Sequence, residues 1–163
     1  MIEIKRERII RWDDPQNSAW DADSKSGLDY LKSIKAGEIS PPPIAMLVGY
    51  KISKIEKGHT IYELEPEEYH YNPVSTVHGG IISTILDTTM TASVLSALKK
   101  GVGCLTAEIK VNCIRPVTAK AGTLQCEGRL IHLGLRLATA EGKLKDKSGT
   151  LCAHAVSTCI IGN

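Results

Sequence analysis

The stretch HGGIISTILDTTMTASVLSALKK, residues 78–100, decides the fold. Placed at 100° per residue, residues 81–99 carry apolar side chains around most of the circumference of a helix. A helix that is apolar nearly all round has to be enclosed by other structure. Asp87 lies near its middle, where it would cost about 2.5 to 3.5 kcal/mol in a membrane span. We therefore predict a buried central helix of a soluble fold, not a membrane segment.

Extended segments flank this helix on both sides. Residues 50–57 and 59–65 are typical of a hairpin turned at Gly58, and four β-type runs follow the helix at residues 104–115, 122–133, 135–146 and 149–161. Their short connections require antiparallel neighbours. The order of elements, two strands, a long helix and four strands, therefore predicts an α+β fold. Strands of roughly 36 Å match a helix of roughly 30 Å, so we predict a long central helix wrapped by a curved antiparallel sheet of about six strands.

The first forty residues differ from the rest of the chain. They are polar, and apolar residues recur at helical spacing only over residues 24–35, which Gly37 and the prolines at 41–43 bring to an end. Residues 44–48 could form a second short helix. We predict an N-terminal helical extension at 1–40 and one domain at 41–163.

Composition excludes several classes of partner. Twenty Lys and Arg against eighteen Asp and Glu leave a net charge of +2, too balanced for binding to nucleic acid. The five cysteines are odd in number and form no Cys-x-x-Cys pair, which favours small buried residues in a reducing compartment. Residues 1–12 show no apolar run of the kind found in a secretory signal. We expect a cytoplasmic protein that does not bind membranes.

The start of the central helix carries the first chemical signal. Gly79 and Gly80 leave backbone N–H groups at its positive end, where they could donate to an oxygen that gains negative charge. The alternative is that the glycines only permit a tight turn and close packing.

Asp87 carries the second signal, because it is the only charged side chain between His78 and Lys99. It could act as a nucleophile or as a general base on a water molecule. Alternatively, its face of the helix meets water or a structural hydrogen-bond network.

The spacing of these two signals predicts a dimer. Gly79 and Asp87 are eight residues apart, or about 12 Å along one helix. An attacking group has to come within about 3.5 Å of the carbonyl carbon. If both residues act on one carbonyl, each site combines Gly79 of one subunit with Asp87 of another. A two-fold dimer would carry two such sites.

Several motifs fit one known pattern: the His78-Gly79-Gly80 start, the position of Asp87, the upstream Asn72-Pro73 and the Arg115-Pro116 after the next strand. Together with the strand order, they resemble the hotdog-fold acyl-CoA thioesterases of the PaaI-like (phenylacetic acid degradation-related) family. The resemblance covers about residues 42–161. It implies hydrolysis of acyl-CoA to free acid and CoA by a homodimer, with a dimer of dimers left open.

The resemblance also implies roles for individual residues. The Gly79 amide would polarise the thioester carbonyl, and Asp87 of the facing subunit would attack it or activate water. Asn72 would orient the water or the thioester, and His78 would steady the loop or assist near the leaving thiol. Thr106 would position the water, unless it is simply a solvent-facing strand residue.

Further residues are candidates for contacts with the substrate. Gly80 and Ser83 lie on the same face of the predicted helix as Asp87, and we predict that they contact the substrate. Arg115 and Arg136 are candidates for the phosphates of CoA, and so are the lysines at 99–100. The five histidines lack metal-ligand spacing, so we expect no metal, and hydrolysis by this route needs no cofactor.

Two other functions remain open on the sequence. One is an acyl-thioester hydratase or dehydratase, for which Glu65 and His70 would be the catalytic pair. The other is a non-catalytic acyl-CoA-binding protein with the same fold. A serine hydrolase is disfavoured, because no Gly-x-Ser-x-Gly motif is present.

Overall fold

A computed structural model describes residues 6–18 and 24–162. The helices are α1 (Pro15–Ser18), α2 (Gly27–Ala36), α3 (Pro43–Val48) and α4 (Gly79–Leu95). The strands are β1 (Lys51–Glu56), β2 (His59–Leu64), β3 (Gly103–Cys113), β4 (Leu124–Leu133), β5 (Leu137–Lys145) and β6 (Leu151–Gly162). Short 3-10 turns lie at Glu68–His70 and Ala119–Ala121.

The strands form one six-stranded antiparallel sheet in the order β1-β2-β4-β5-β6-β3. Helix α4 packs against five of these strands, so the sheet curves around it. This arrangement is the α+β hotdog architecture predicted from the sequence. Strand β3 forms one edge of the sheet and the shorter β1 forms the other.

The core lies between α4 and the concave face of the sheet. Ile85, Leu86 and Met90 are fully buried there. Two paired strand glycines let the helix come close: a Cβ on Gly128 would lie 2.6 Å from the Thr89 carbonyl oxygen, and one on Gly142 would lie 3.0 Å from Leu86 Cδ2. Replacing Gly128 with a larger residue would therefore push the helix off the sheet.

Helix α4 begins and ends earlier than predicted. It starts at Gly79, with His78 as the N-cap residue, and it ends at Leu95 instead of continuing to residue 99. The Ser96 hydroxyl accepts a hydrogen bond from the Gly58 amide in the β1–β2 turn. Beyond Leu95 the backbone tightens, since the amides of Ala97 and Leu98 donate to the carbonyls three residues earlier. The apolar pattern continues past it to Leu98, which is buried without being helical.

Two smaller expectations are resolved. Helix α2 occupies nearly the predicted range, with the Ser26 hydroxyl accepting from the Asp29 amide and Gly37 ending the helix at φ 77°. All five cysteines are free thiols, but only three of them are buried, and Cys113 is exposed at the end of β3. Within the described residues, no helix combines the length and apolar character needed to cross a bilayer.

Candidate active site

The first turn of α4 presents one free amide. The ring of His78 caps the helix, since its Nδ1 accepts a hydrogen bond of 2.8 Å from the Gly80 amide. Among the described residues, none accepts a hydrogen bond from the amide of Gly79, which is exposed. The positive end of the helix macrodipole adds to the partial charge at this position. Gly79 is therefore the available anion-binding donor, and the Gly80 amide, predicted to contact substrate, is already occupied.

The loop before the helix is held by Asn72. Its side-chain carbonyl accepts from the amides of Val74 and Thr76, each at 3.1 Å, and its side-chain amide donates to the Thr76 hydroxyl at 3.0 Å. This is the local side-chain bonding that stabilises tight turns. The next segment is fixed by the Val77 amide, which donates to the Val117 carbonyl at 2.8 Å. In this chain the hydrogen bonds of Asn72 shape the loop that leads to Gly79.

Asp87 is held by a chain of hydroxyl groups. The Thr106 hydroxyl, on β3, donates to Asp87 Oδ1 at 2.7 Å, and the Thr91 hydroxyl lies 2.9 Å from that of Thr106. A hydroxyl has one proton, so Thr91 donates to Thr106 when Thr106 donates to the carboxylate. Thr106 is therefore not a solvent-facing strand residue. No described residue donates to Asp87 Oδ2, which leaves that oxygen available for chemistry.

Asp87 and Thr106 face a large apolar cavity. Its volume is about 1030 Å³, and its walls come from α2, α3, β1, α4 and the start of β3. Tyr50 lines it beside Asp87 and accepts a hydrogen bond of 3.4 Å from the Thr88 hydroxyl. Burial raises the pKa of Tyr50, the Thr88 hydroxyl lowers it, and the Asp87 carboxylate raises it further. Tyr50 therefore stays a neutral hydroxyl next to the carboxylate.

Within one chain, Gly79 and Asp87 do not meet. Both lie on α4, eight residues apart, so about 12 Å of helix separates them. Asp87 lines the cavity and Gly79 does not. Ser83 lies one turn after Gly79, and its hydroxyl donates back to the Gly79 carbonyl at 2.8 Å, which leaves its oxygen lone pairs available as acceptors.

The two predicted phosphate-binding arginines lie at opposite ends of the sheet. Arg115 follows the end of β3, beside the turn that contains Asp146. Hydrogen bonds from Ser148 and Thr150 lower the pKa of Asp146, and the charge of Arg115 lowers it further. Arg136 lies next to the last residues of β6, which pair with the start of β3, since its carbonyl accepts from the Ile161 amide at 2.8 Å. Roughly 30 Å of strand therefore separates the two arginines within one chain.

The lysines at 99–100 follow α4 and are exposed, at the same end of β3 as Arg136. A cluster of three or more His, Cys, Asp or Glu side chains that could hold a metal does not occur among residues 6–18 and 24–162.

The pair predicted for a hydratase is not assembled. The buried ring of His70 accepts from the Glu67 amide at Nδ1 and lies 2.8 Å from the Val48 carbonyl at Nε2. Glu65 instead accepts a hydrogen bond from the Thr123 hydroxyl. Both ring nitrogens of His70 are thus occupied: Nε2 fastens the loop to α3, and Nδ1 closes a turn within the loop.

Sequence reasoning missed Tyr50 as a residue near the site. Its position in the cavity depends on β1 packing beside α4, and no local pattern marks it. Thr91 was not predicted as a site residue. Its spacing of four residues from Asp87 places both on one face of α4, which was the available signal.

The comparisons with known proteins agree with this geometry. Residues 75–153, from the loop before α4 into β6, match the family model described as "Thioesterase superfamily". A Saccharolobus solfataricus protein, provisionally named an esterase, is 30% identical over 116 residues, which are 70% of this chain and 74% of the relative. Acyl-coenzyme A thioesterase 13 of Mus musculus is 30% identical over 105 residues, 63% of this chain and 73% of the relative.

Among solved structures, a phenylacetic acid degradation-related protein from Ralstonia eutropha JMP134 superimposes with a TM-score of 0.73 at 28% identity. The match covers 80% of this chain and 98% of that one. The chain belongs to the thioesterase superfamily and is a thioester hydrolase. The resemblance to hotdog-fold, PaaI-like thioesterases is thereby confirmed.

Proposed function

We propose that the protein hydrolyses acyl-CoA thioesters to free acid and CoA at two equivalent sites between two copies of the chain. The observation that carries this proposal is the Thr106-anchored Asp87 carboxylate on an apolar cavity, on the same helix as the free Gly79 amide. The name of the mouse relative, acyl-coenzyme A thioesterase 13, supports CoA as the leaving group.

The Gly79 amide is assigned to the carbonyl oxygen. As the thioester carbon becomes tetrahedral, its oxygen gains negative charge, and a fixed amide at a helix N-terminus stabilises that charge. His78 assists by occupying the Gly80 amide, which fixes the first turn and leaves Gly79 as the donor. Asn72 assists by shaping the loop that leads to this turn.

Asp87 is assigned to the attack. Thr106 occupies Oδ1, so Oδ2 either takes a proton from water as that water adds to the carbonyl carbon, or adds to the carbon itself. The C–S bond then breaks, and the CoA thiolate leaves and is protonated. Direct attack leaves an acyl–Asp87 anhydride, which a water molecule then hydrolyses to release the acid and restore the carboxylate. A single turnover in water enriched with oxygen-18 tests for the anhydride: activated water puts the label in the released acid alone, whereas an anhydride opened at the Asp87 carbon puts the label in Asp87 and leaves it out of the first acid released.

The edge strand β3 favours a second copy that completes the site. The other edge, β1, is short and carries Lys51, Lys54 and Glu56, which discourage strand pairing. β3 is 11 residues long and its outer edge is unpaired within the described chain. An antiparallel partner strand would add to this edge, as in other sheets extended between chains.

A two-fold axis through β3 would bring the Gly79 amide of one copy close to the Asp87 carboxylate of the other. Asp87 is level with Thr106 on β3, and α4 runs antiparallel to that strand. The 12 Å from Asp87 to Gly79 corresponds to about four strand residues, which puts Gly79 level with about Lys110. A two-fold axis near Glu108 therefore places Gly79 of one copy beside Asp87 of the other. The same rotation brings Arg115 of one copy toward Arg136 of its partner, around one CoA.

The proposal extends to a dimer of dimers. Leu105, Ile160 and Leu137 lie side by side across β3, β6 and β5 on the outer face of the sheet, and each is at least half exposed. An apolar row of this kind is a typical contact surface between subunits. The free thiols favour a reducing compartment, so we place the activity in the cytoplasm.

The test removes the Gly79 amide and the Asp87 carboxylate in separate variants. Gly79→Pro deletes the amide proton at the first helical position, where proline is tolerated, and the extended backbone of His78 suits a residue before proline. We expect kcat to fall about 10²- to 10³-fold. Gly79→Ala is the matched control: it keeps the amide, a Cβ there meets nothing within 4 Å, and activity should persist.

Mixing then tests whether the site is shared. Chains with Gly79→Pro and chains with Asp87→Ala are each inactive, but a heterodimer of the two has one intact site. Random reassociation of equal amounts should restore about a quarter of wild-type activity. If heterodimers form but no activity is recovered, the proposal of a shared site is contradicted.

A further inference from the structure

We propose that α2 forms the distal wall of the acyl pocket, and that its side chains set the longest aliphatic acyl chain the enzyme accommodates. The inference rests on the proposed function for the identity of the substrate. It concerns residues that precede the part of the chain matched by the superfamily. The occupant that we assign is an unbranched fatty acyl group.

The cavity joins α2 to the reacting carboxylate. Tyr30, Leu31 and Ile34 of α2 line the same cavity of about 1030 Å³ as Asp87 and Thr106. Ligand pockets in proteins commonly measure about 300 to 1000 Å³, so this one is at the large end of the range. A short acyl group would leave most of it empty.

The cavity runs along α4 away from the reacting centre. Leu95, which also lines it, is eight residues beyond Asp87, or about 12 Å further along the helix. Polar groups lie near the Asp87 end, where Tyr50, Thr88 and Thr91 are located. Leu95 lies against Gly27 of α2, and Leu31 and Ile34 of the same helix add apolar wall to the cavity; Lys35 also lines it. A carbonyl at the polar end with an alkyl tail at the far end matches this distribution.

Helix α2 is seated firmly enough to act as a wall. Gly27 is buried against α4, and a Cβ at that position would lie 2.2 Å from the Leu95 carbonyl oxygen. At the other end of the helix, the Lys35 ammonium donates to the Ser53 carbonyl of β1 at 2.5 Å. These contacts fix both ends of α2, so the length of the cavity is a property of the folded chain.

Binding of nonhydrolysable CoA thioethers tests the wall without requiring turnover. S-butyl-CoA and S-dodecyl-CoA are titrated calorimetrically into the wild type, Ile34→Trp and Lys32→Trp. Lys32 is the matched control, because it is an exposed residue of α2 that does not line the cavity. Each buried methylene is worth about fourfold in affinity. If the indole displaces two methylenes, the Kd of S-dodecyl-CoA rises roughly fifteenfold.

The expected pattern is specific to chain length. Ile34→Trp weakens S-dodecyl-CoA and leaves S-butyl-CoA within twofold, whereas Lys32→Trp changes neither. Ile34→Ala should shift the preference toward S-hexadecyl-CoA, and it decides the question alone if the melting curve shows that Ile34→Trp is unfolded. Equal effects of Ile34→Trp at both lengths, or no shift in Ile34→Ala, would overturn the proposal.

Hydrolysis assays on the same proteins separate the two proposals. One outcome is that the wild type hydrolyses no acyl-CoA but binds the longer thioether more tightly, and that Ile34→Trp abolishes this preference. That result would support α2 as the wall and contradict the proposed activity. The other outcome is that the wild type and Ile34→Trp hydrolyse butyryl-CoA and dodecanoyl-CoA in the same ratio of rates. That result would support the proposed activity and contradict α2 as the wall.

Discussion

Replacing Thr106 with valine isolates the contribution of one hydroxyl to catalysis. Valine keeps the β-branched shape that suits β3, but it deletes the donor that lies 2.7 Å from Asp87 Oδ1. A hydrogen bond to a charged group contributes about 1.5 to 3 kcal/mol. Both residues are half-buried, so we take the lower part of that range, about 1.5 to 2 kcal/mol. At 1.36 kcal/mol per tenfold in rate, kcat should fall roughly ten- to thirtyfold.

The assay is thiol release from acyl-CoA at saturating substrate, with KM measured in parallel. Because Thr106 acts through Asp87, kcat should fall while KM stays within about twofold. Thr106→Ser restores the hydroxyl and should recover most of the rate. Thr91→Val removes only the outer, neutral bond of the chain and should cost roughly two- to fivefold. The reasoning fails if Thr106→Val keeps wild-type kcat while Asp87→Ala loses at least about a hundredfold.

Two more predictions concern the pH dependence of stability and the dimer. Burial, the largest cause, lowers the pKa of His70, so the unfolded chain binds more protons below about pH 6.5. Chemical denaturation should therefore show the free energy of unfolding falling as the pH drops below about 6.5, and His70→Gln should flatten this slope; an unchanged slope would contradict the assignment. Glu108→Cys, with Cys113→Ser to remove the exposed thiol, should form a disulfide-linked dimer on mild oxidation, because strand pairs at a two-fold axis bring their Cα atoms within about 5.5 Å. If the oxidised variant is a dimer in solution but runs only as a monomer on a nonreducing gel, the two-fold axis does not lie at residue 108.

The fold could be predicted from the sequence because its main signals are local. The periodicity of α4 and the alternation in β3 each arise within one element, and short turns such as Asp146 to Gly149 leave only antiparallel pairing. The end of α4 at Leu95 was not predicted, because the apolar pattern continues to Leu98, and neither was the hydrogen bond between the Ser96 hydroxyl and the Gly58 amide, 38 residues apart in sequence. A contact of that kind exists only after the chain has folded.

The sequence points to candidate site residues but not to the hydrogen bonds that these residues make. Spacing along one helix was enough to separate Gly79 from Asp87. Which glycine amide is free depends on the orientation of the His78 ring, and nothing in the residue pattern reports that angle. The placement of Arg115 and Arg136 at opposite ends follows from strand order, since the one strand between them, β4, runs the length of the sheet and carries them apart.

The hydroxyl groups of α4 have a consequence for how freely this helix can vary. Ser83, Thr84 and Thr89 each donate to the carbonyl four residues earlier, and Ser93 donates to Met90, so these side chains are satisfied by their own backbone. Of these four side chains, Thr89 also meets the sheet, through a hydrogen bond with the Cys126 thiol on β4. Replacing the buried Ser93 with alanine should therefore change the free energy of unfolding little, because it removes only a bond between the side chain and the helix's own backbone.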